Sequence, residues 1–329
     1  MSPRLLFVAP FGLLMAAALC ADSPPAIPAD TLPKELPLEK VPLGLGPRPA
    51  AGELNPNRVA LGRKLFFDPI LSHDKTVACA SCHRPDHGFA SPDAKPRGIG
   101  GRQAARRAPS LLNRAYGTAF FWDGRAASLE EQALEPIANP DEMGSNVADA
   151  VRRLAADPSY KEQFTAAFED GVTSMNLGKA LASFERVLLR GDSPVDRFRQ
   201  RGERSAMSSA ELHGLWIYES KGQCWRCHSG TNFTDEDFHN TGVSWGGEDL
   251  GRHRVTKKDA DRGKYKTPTL RGVKLHGPYM HDGSLKSLED VVEFYNRGGG
   301  TNPTIDPAMK PLNLTKEELA DLVAFLKSL

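Results

Sequence analysis

The sequence predicts an all-α chain of two domains, each carrying one covalent c-type haem, and three observations carry that prediction. Apolar residues recur at helical spacing through most of the chain, and no stretch alternates as a half-buried strand would. The motif Cys-x-x-Cys-His occurs twice, as Cys79-Ala-Ser-Cys82-His83 and Cys224-Trp-Arg-Cys227-His228. Each copy is a c-type haem attachment signature. Cysteines at this spacing can form thioethers to the two haem vinyl groups, and the adjacent histidine then reaches the iron. Paired Cys-x-x-Cys can also build a structural zinc site. The 141 residues between the pairs, and a histidine directly after each, argue against zinc.

The 329 residues suffice for two domains and a sizeable core. A net charge of +1 suggests neither nucleic acid nor an anionic membrane surface as partner. Residues 1–21 have the form of a cleaved secretory signal: Arg4 gives the positive start, and an apolar run from Leu5 to Leu19 follows. That run is short for a membrane span. The bulky Leu19 disfavours a lipid-modified Cys20. With Cys20 at the cut site, every remaining cysteine belongs to a haem motif and none is left for a disulfide. Because c-type attachment takes place outside the cytoplasm, the expected compartment is a bacterial periplasm.

Residues 22–52 form a proline-rich arm or linker without periodic pattern. From there the expected organisation is an N-terminal haem domain over 53–200 and a C-terminal haem domain over 201–329, whose last helix could pack back on the first. Val59, Leu61, Leu65 and Phe66 predict a short helix ending before Asp68-Pro69. Residues 84–110, rich in Gly, Pro and Arg, read as a long functional loop. Between His87 and His213 there is no histidine, and the methionines in that interval are Met143, Met175 and Met207. Helices are expected over 129–137, after Asn146, over 158–168 and over 177–189. Residues 191–204 read as a charged, turn-rich boundary. Ser208-x-x-Glu211 and Thr315-x-x-Glu318 are capping boxes for two further helices, and 287–296 is a short helix stopped by three glycines.

His83 and His228 are the expected proximal iron ligands. The second axial position decides the chemistry: an iron with two protein ligands relays electrons, and one with an open face can bind peroxide. Here the chain resembles the bacterial diheme cytochrome c peroxidase superfamily over nearly its whole mature length, with two cytochrome c-like domains. The matching stretches include Ala108-Pro-Ser-Leu-Leu-Asn113, Phe121-Trp-Asp-Gly-Arg125, Asn139-Pro-Asp-Glu-Met-Gly144, Thr267-Pro-Thr-Leu-Arg271 and Gly277-Pro-Tyr-Met-His-Asp-Gly283. The resemblance implies that the N-terminal haem meets hydrogen peroxide and the C-terminal haem relays electrons. It also implies that Trp122 lies between them and that Gln132 and Glu142 line the peroxide pocket. A carboxylate there can take the peroxide proton and return it to the leaving oxygen. On the residues alone, Glu142 would be an ordinary first-turn carboxylate, Gln132 a surface residue and Trp122 core.

Three departures from the family pattern matter. Other members carry a histidine before the Ala-Pro segment that blocks the first haem until reduction. This chain has Gly98-Ile-Gly-Gly-Arg102 there, so its first haem should be open at rest. The far ligand of the second haem, methionine in those members, falls on Tyr295. Tyr295 shares a helical face with Leu288, Val291 and Val292, and is either an iron ligand or a core tyrosine. Met280, Met309, His276 and His281 are its rivals. Both features resemble the MauG-type branch, whose members oxidise residues of a partner protein. Finally, the family's calcium is held partly by an asparagine that is Arg107 here, which puts calcium in doubt and leaves the carbonyls of His276 and Pro278. The expected function is a periplasmic diheme peroxidase of MauG type, partnered by a small redox protein or a dedicated protein substrate. The alternatives are an ordinary cytochrome c peroxidase and a non-enzymatic diheme carrier.

Overall fold

The computed structural model describes residues 25–34, 36, 38, 40–49 and 54–329. The expected signal peptide and Cys20 lie outside the described residues. The chain is mostly helical, with one two-stranded antiparallel ribbon, β1 (Phe238–His239) and β2 (Tyr265–Lys266).

In the first half, Asn55 caps α1 (Pro56–Phe67), and Pro56 sits at the first helical position, where its missing N–H costs nothing. The apolar face Leu61, Leu65 and Phe66 is buried against α6 (Ser174–Glu185). The short α2 (Cys79–Cys82) carries the first motif. Helices α3 (Leu129–Ala138), α4 (Val147–Ala156) and α5 (Pro158–Ala167) are capped by Ser128, Asn146 and Asp157 and complete this core.

Ser193 and Asp196 form a capping box for α7 (Pro194–Arg201). This helix occupies the segment expected to be turn, because its charged residues hid a cap-and-proline start that was legible. Helix α6 likewise ends at Glu185 rather than Leu189, since the Asn113 N–H bonds the Leu188 carbonyl at 2.9 Å and draws residues 187–190 out of the helix.

In the second half, α8 (Ser209–Glu219) packs on α11 (Lys316–Lys327), α10 (Leu288–Asn296) lines the cavity of the second motif, and the short α9 (His253–Thr256) reaches toward the first half's cavity with Arg254 and Val255. Helix α11 also packs on α10 within this half. A glycine permits each main helix crossing: a Cβ on Gly62 would stand 1.9 Å from the Ala180 carbonyl, and one on Gly214 2.0 Å from that of Asp321.

Charged contacts join the halves. Arg114 grips Glu236 with two bonds of 2.8 and 3.0 Å, and Arg106 bridges Asp123 and Asp249. Arg271, almost fully buried, holds Asp196 and the carbonyls of Thr231 and Gly44. Gly44 belongs to the arm, whose Ile27, Leu32, Leu36 and Leu38 pack on the first half's aromatic cluster. Its described residues form no helix or strand and are laid across both halves.

Candidate active site

Both haem motifs are built the same way. His83 donates Nδ1–H to the Phe89 carbonyl at 3.0 Å, and His228 does so to Phe233 at 3.1 Å. A carbonyl only accepts, so each imidazole keeps its proton on Nδ1 and its lone pair on Nε2, the arrangement an iron ligand needs. The backbones of Pro109 and Pro268 stand beside the respective rings and favour the same protonated nitrogen. Burial lowers the pKa of both histidines, His228 to about 4, which keeps them neutral. Cys79 and Cys224 are buried strongly enough that a free thiol would be pushed up to about 12.

Each motif opens on a cavity. The first, about 980 Å³, is lined by Cys79, Cys82 and His83 on one part and by Gln132, Glu142 and Trp122 on another. The second, about 270 Å³, is lined by Cys224, Cys227 and His228 together with Tyr295, Met280 and Met309. Neutral imidazole, paired thiols and a largely apolar wall fit a covalent haem in each. Trp122 lines both cavities; its Nε1–H is held by the Arg107 carbonyl at 2.8 Å, and its own carbonyl accepts from Lys266 N at 2.8 Å.

The two halves follow one plan: the motifs stand 145 positions apart, and the loop and helix facing each motif repeat at a spacing of 159. The Phe120–Ala126 and Tyr279–Leu285 bridges close equivalent loops, with Phe121 and Met280 at positive φ. Trp122 and His281 are matched and meet edge to face at 6.3 Å. Ser128 and Ser287 cap matched helices, so Pro136 of α3 corresponds to Tyr295 of α10. The sequence reading missed this repeat, although Phe-Trp-Asp-Gly and Met-His-Asp-Gly signal it. A proline inside α3 was a second signal that something other than helix stability selects position 136.

Glu142 lies in a turn between α3 and α4, not in the first turn of a helix. Asn139 Nδ2 donates to its Oε1 at 2.8 Å, and burial raises its pKa, with Arg125 and that hydrogen bond opposing. The glycine segment braces it: Ile99 N donates to the Glu142 carbonyl at 2.8 Å, and a Cβ on Gly98 would stand 2.3 Å from that oxygen. Gln132 stands in the cavity wall one helical turn before Pro136. His83 is the only histidine lining the first cavity among the described residues, and its one methionine, Met143, is part of the apolar core.

Tyr295 is half-buried in the wall of the second cavity, where burial raises the pKa of its phenol. Among its rivals, Met280 and Met309 share the cavity, while His281 Nε2 is engaged by Ser244 Oγ at 2.8 Å and its ring stacks on Tyr265. His276 also lines the cavity, with Nε2 unpartnered. Its carbonyl accepts from the buried Arg107 guanidinium, which also bonds the carbonyls of Ser91 at 2.7 Å and Gly277 at 3.4 Å. Among the described residues no carboxylate pairs with this guanidinium, and burial lowers its pKa to about 10.

Comparison with known proteins agrees with this geometry. Residues 56–205 match the profile of the di-haem cytochrome c peroxidase family, and 217–329 that of cytochrome c. The chain is 44% identical over 287 residues to the methylamine utilization protein MauG of Methylorubrum extorquens, covering 86% of this chain and 81% of that one. It is 36% identical to the cytochrome c551 peroxidase of Nitrosomonas europaea over 84% and 80% of the two chains. Among solved structures, a MauG-like protein associated with microbial copper homeostasis superposes with a TM-score of 0.79 at 29% identity, over 91% and 95% of the chains. A diheme peroxidase from Burkholderia thailandensis gives 0.75 at 25% identity, over 84% and 86%. Two haem-binding halves of one plan, each with a Cys-x-x-Cys-His motif opening on a cavity, are thus the architecture of the di-haem cytochrome c peroxidase family, to which this chain belongs as a haem peroxidase with two c-type haems.

Proposed function

We propose that the chain is a MauG-type peroxidase, which reduces hydrogen peroxide in its first cavity and draws the electrons from a partner protein through its second. The observation that carries this reading is the matched pair Pro136 and Tyr295. Proline offers the first haem no ligand, while the phenol offers the second one an oxygen.

A haem held by Cys79, Cys82 and His83 supplies the redox-active iron and electron storage that peroxide reduction needs. The chain's own residues supply the rest. Glu142, held by Asn139 and with its pKa raised by burial, takes a proton from peroxide and returns it to the departing oxygen. Gln132 orients the peroxide without competing for that proton. Trp122, in the wall of both cavities, couples them. The Arg107 guanidinium fills the place of the family's calcium by binding the His276 carbonyl itself. Export of the chain to the periplasm follows from the expected signal and from where c-type haems are attached; no helix among the described residues is long and apolar enough to cross a membrane.

A second reading, a peroxidase fed by a small cytochrome, is favoured by the presence of Met280 and Met309 in the cavity that holds Tyr295 and by the identity to the Nitrosomonas enzyme. The relatives named for methylamine utilization and copper homeostasis favour a dedicated protein partner instead. Electron paramagnetic resonance of the resting ferric protein tests the open cavity. One high-spin and one low-spin signal, with peroxide reacting before any reduction, is the expected result. Two low-spin signals would contradict it and would leave a peroxidase that must be reduced before its first haem can bind peroxide.

A further inference from the structure

Glu185, at the end of α6, lies in the wall of the first cavity and is not used in the reaction described above. It is 6% exposed, and its Oε2 has no hydrogen-bond partner. Two arginines act on it, and each is already committed. Arg114 is gripped by Glu236 at 2.8 and 3.0 Å, and Arg186 by Glu130 at 2.6 and 3.0 Å. A buried carboxylate without a cation of its own is costly and is relieved by holding a proton.

We propose that Glu185 is the redox-linked proton site of the first haem, taking up one proton from solvent when that iron gains an electron and releasing it on reoxidation. The balance is one electron to the iron and one proton to the carboxylate, so the net charge in the cavity stays constant. Ferric iron carries the extra positive charge that favours the carboxylate. Once reduction removes that charge, burial returns the proton.

The surroundings fit this role. Burial pushes the Glu185 carboxyl up to about 8, with Arg114 and Arg186 lowering it and Glu130 raising it. The Cys79 sulfur is the other titratable neighbour, and it no longer titrates once bound in a thioether. The remaining helices on α6 face it with apolar groups, Leu61, Leu65 and Phe66 from α1 and Ala150 and Leu154 from α4. Glu142, across the same cavity, is held by Asn139 and feels the charge of Arg125, whose own bonds go to Glu135 and Asp123.

The test is a spectroelectrochemical titration of the holoprotein from pH 6 to pH 9. In the wild type the first haem's potential should fall by about 59 mV per pH unit, a tenfold change in a one-electron equilibrium, and flatten above about pH 8. Glu185→Gln should remove the slope and leave the second haem's pH dependence unchanged. A slope that survives in this variant would overturn the proposal and assign the proton to a haem propionate. Should the variant fail to take up haem, the wild type decides alone. Its reduced-minus-oxidised infrared spectrum must gain a protonated-carboxyl band that shifts in D2O, and absence of that band overturns the proposal equally.

Discussion

The two haem sites share a proximal side and differ on the far side. In both, a Cys-x-x-Cys-His motif is followed by a carbonyl that fixes the histidine tautomer and by a proline that backs the ring. In both, a serine-capped helix runs over the cavity. The cavities nevertheless measure about 980 and 270 Å³. The matched helices present different side chains, Gln132 and Pro136 to one cavity and Val291 and Tyr295 to the other, and the first is further widened toward the glycine segment and α9. A shared plan thus gives two similar proximal sides, and the side chains that face them from the matched helices differ.

Removing the proton carrier from the wide cavity should have the largest effect. General acid–base groups contribute roughly 10²–10⁴-fold, so Glu142→Gln should lower peroxide turnover by that order while both haems stay attached. Steady-state kinetics with haem content measured in parallel checks it. A rate within about threefold of wild type, on the order of 0.7 kcal/mol of barrier, would leave Glu142 a structural turn residue.

The next experiment makes the first site imitate the second. Pro136→His places a ligand at the position matched to Tyr295, on a helix that should gain rather than lose stability with the proline gone. The high-spin resonance should largely convert to low-spin and peroxide binding should slow. An unchanged spectrum would mean that position 136 does not overlook the iron, which would weaken the matched-pair argument for Tyr295 as well.

Tyr295→Met runs the imitation the other way, giving the second site the ligand found in other members of the family. Axial ligands span roughly 0.8 V of haem potential, and an anionic oxygen holds ferric iron where methionine favours ferrous. The second haem's potential should therefore rise while the first keeps its high-spin signal. Oxidation of a protein partner should fall more than turnover with a small cytochrome. If neither potential nor low-spin spectrum moves, Tyr295 is a core residue, and Met280 or Met309 is the ligand.

The sequence made much of this contrast visible. The two motifs, the capping boxes of α8 and α11, and the absence of histidine between His87 and His213 are local features that survive without coordinates. What stayed hidden depends on tertiary contact. The glycine segment near residue 98 showed what it lacks, a histidine, but not that its backbone braces Glu142. Glu185 looked like any helix residue, because its isolation arises only when Glu236 and Glu130 occupy the neighbouring arginines. Helix α7 was missed because composition outweighed the Ser193-Pro194 start.

The smallest effect, expected to be none, lies at the seam between the sites. The Arg107 guanidinium bonds the Ser91 carbonyl in one half and the His276 and Gly277 carbonyls in the other, and its own carbonyl holds Trp122 Nε1. A metal ion there would bind the same kind of oxygen ligands, yet the guanidinium already occupies the His276 carbonyl. Chelator should therefore leave the wild type's haem spectra and peroxide kinetics unchanged. Arg107→Asn removes the built-in cation and strands those carbonyls at a cost of about 1–3 kcal/mol each. The variant should melt earlier, and added calcium should recover part of the loss by filling the vacated ligands. Recovery separates a cation site from a simple packing defect, which calcium could not mend. A wild type whose spectra change on chelation would show instead that a metal ion and Arg107 share the seam, and the arginine would then be a neighbour of the ion rather than its substitute.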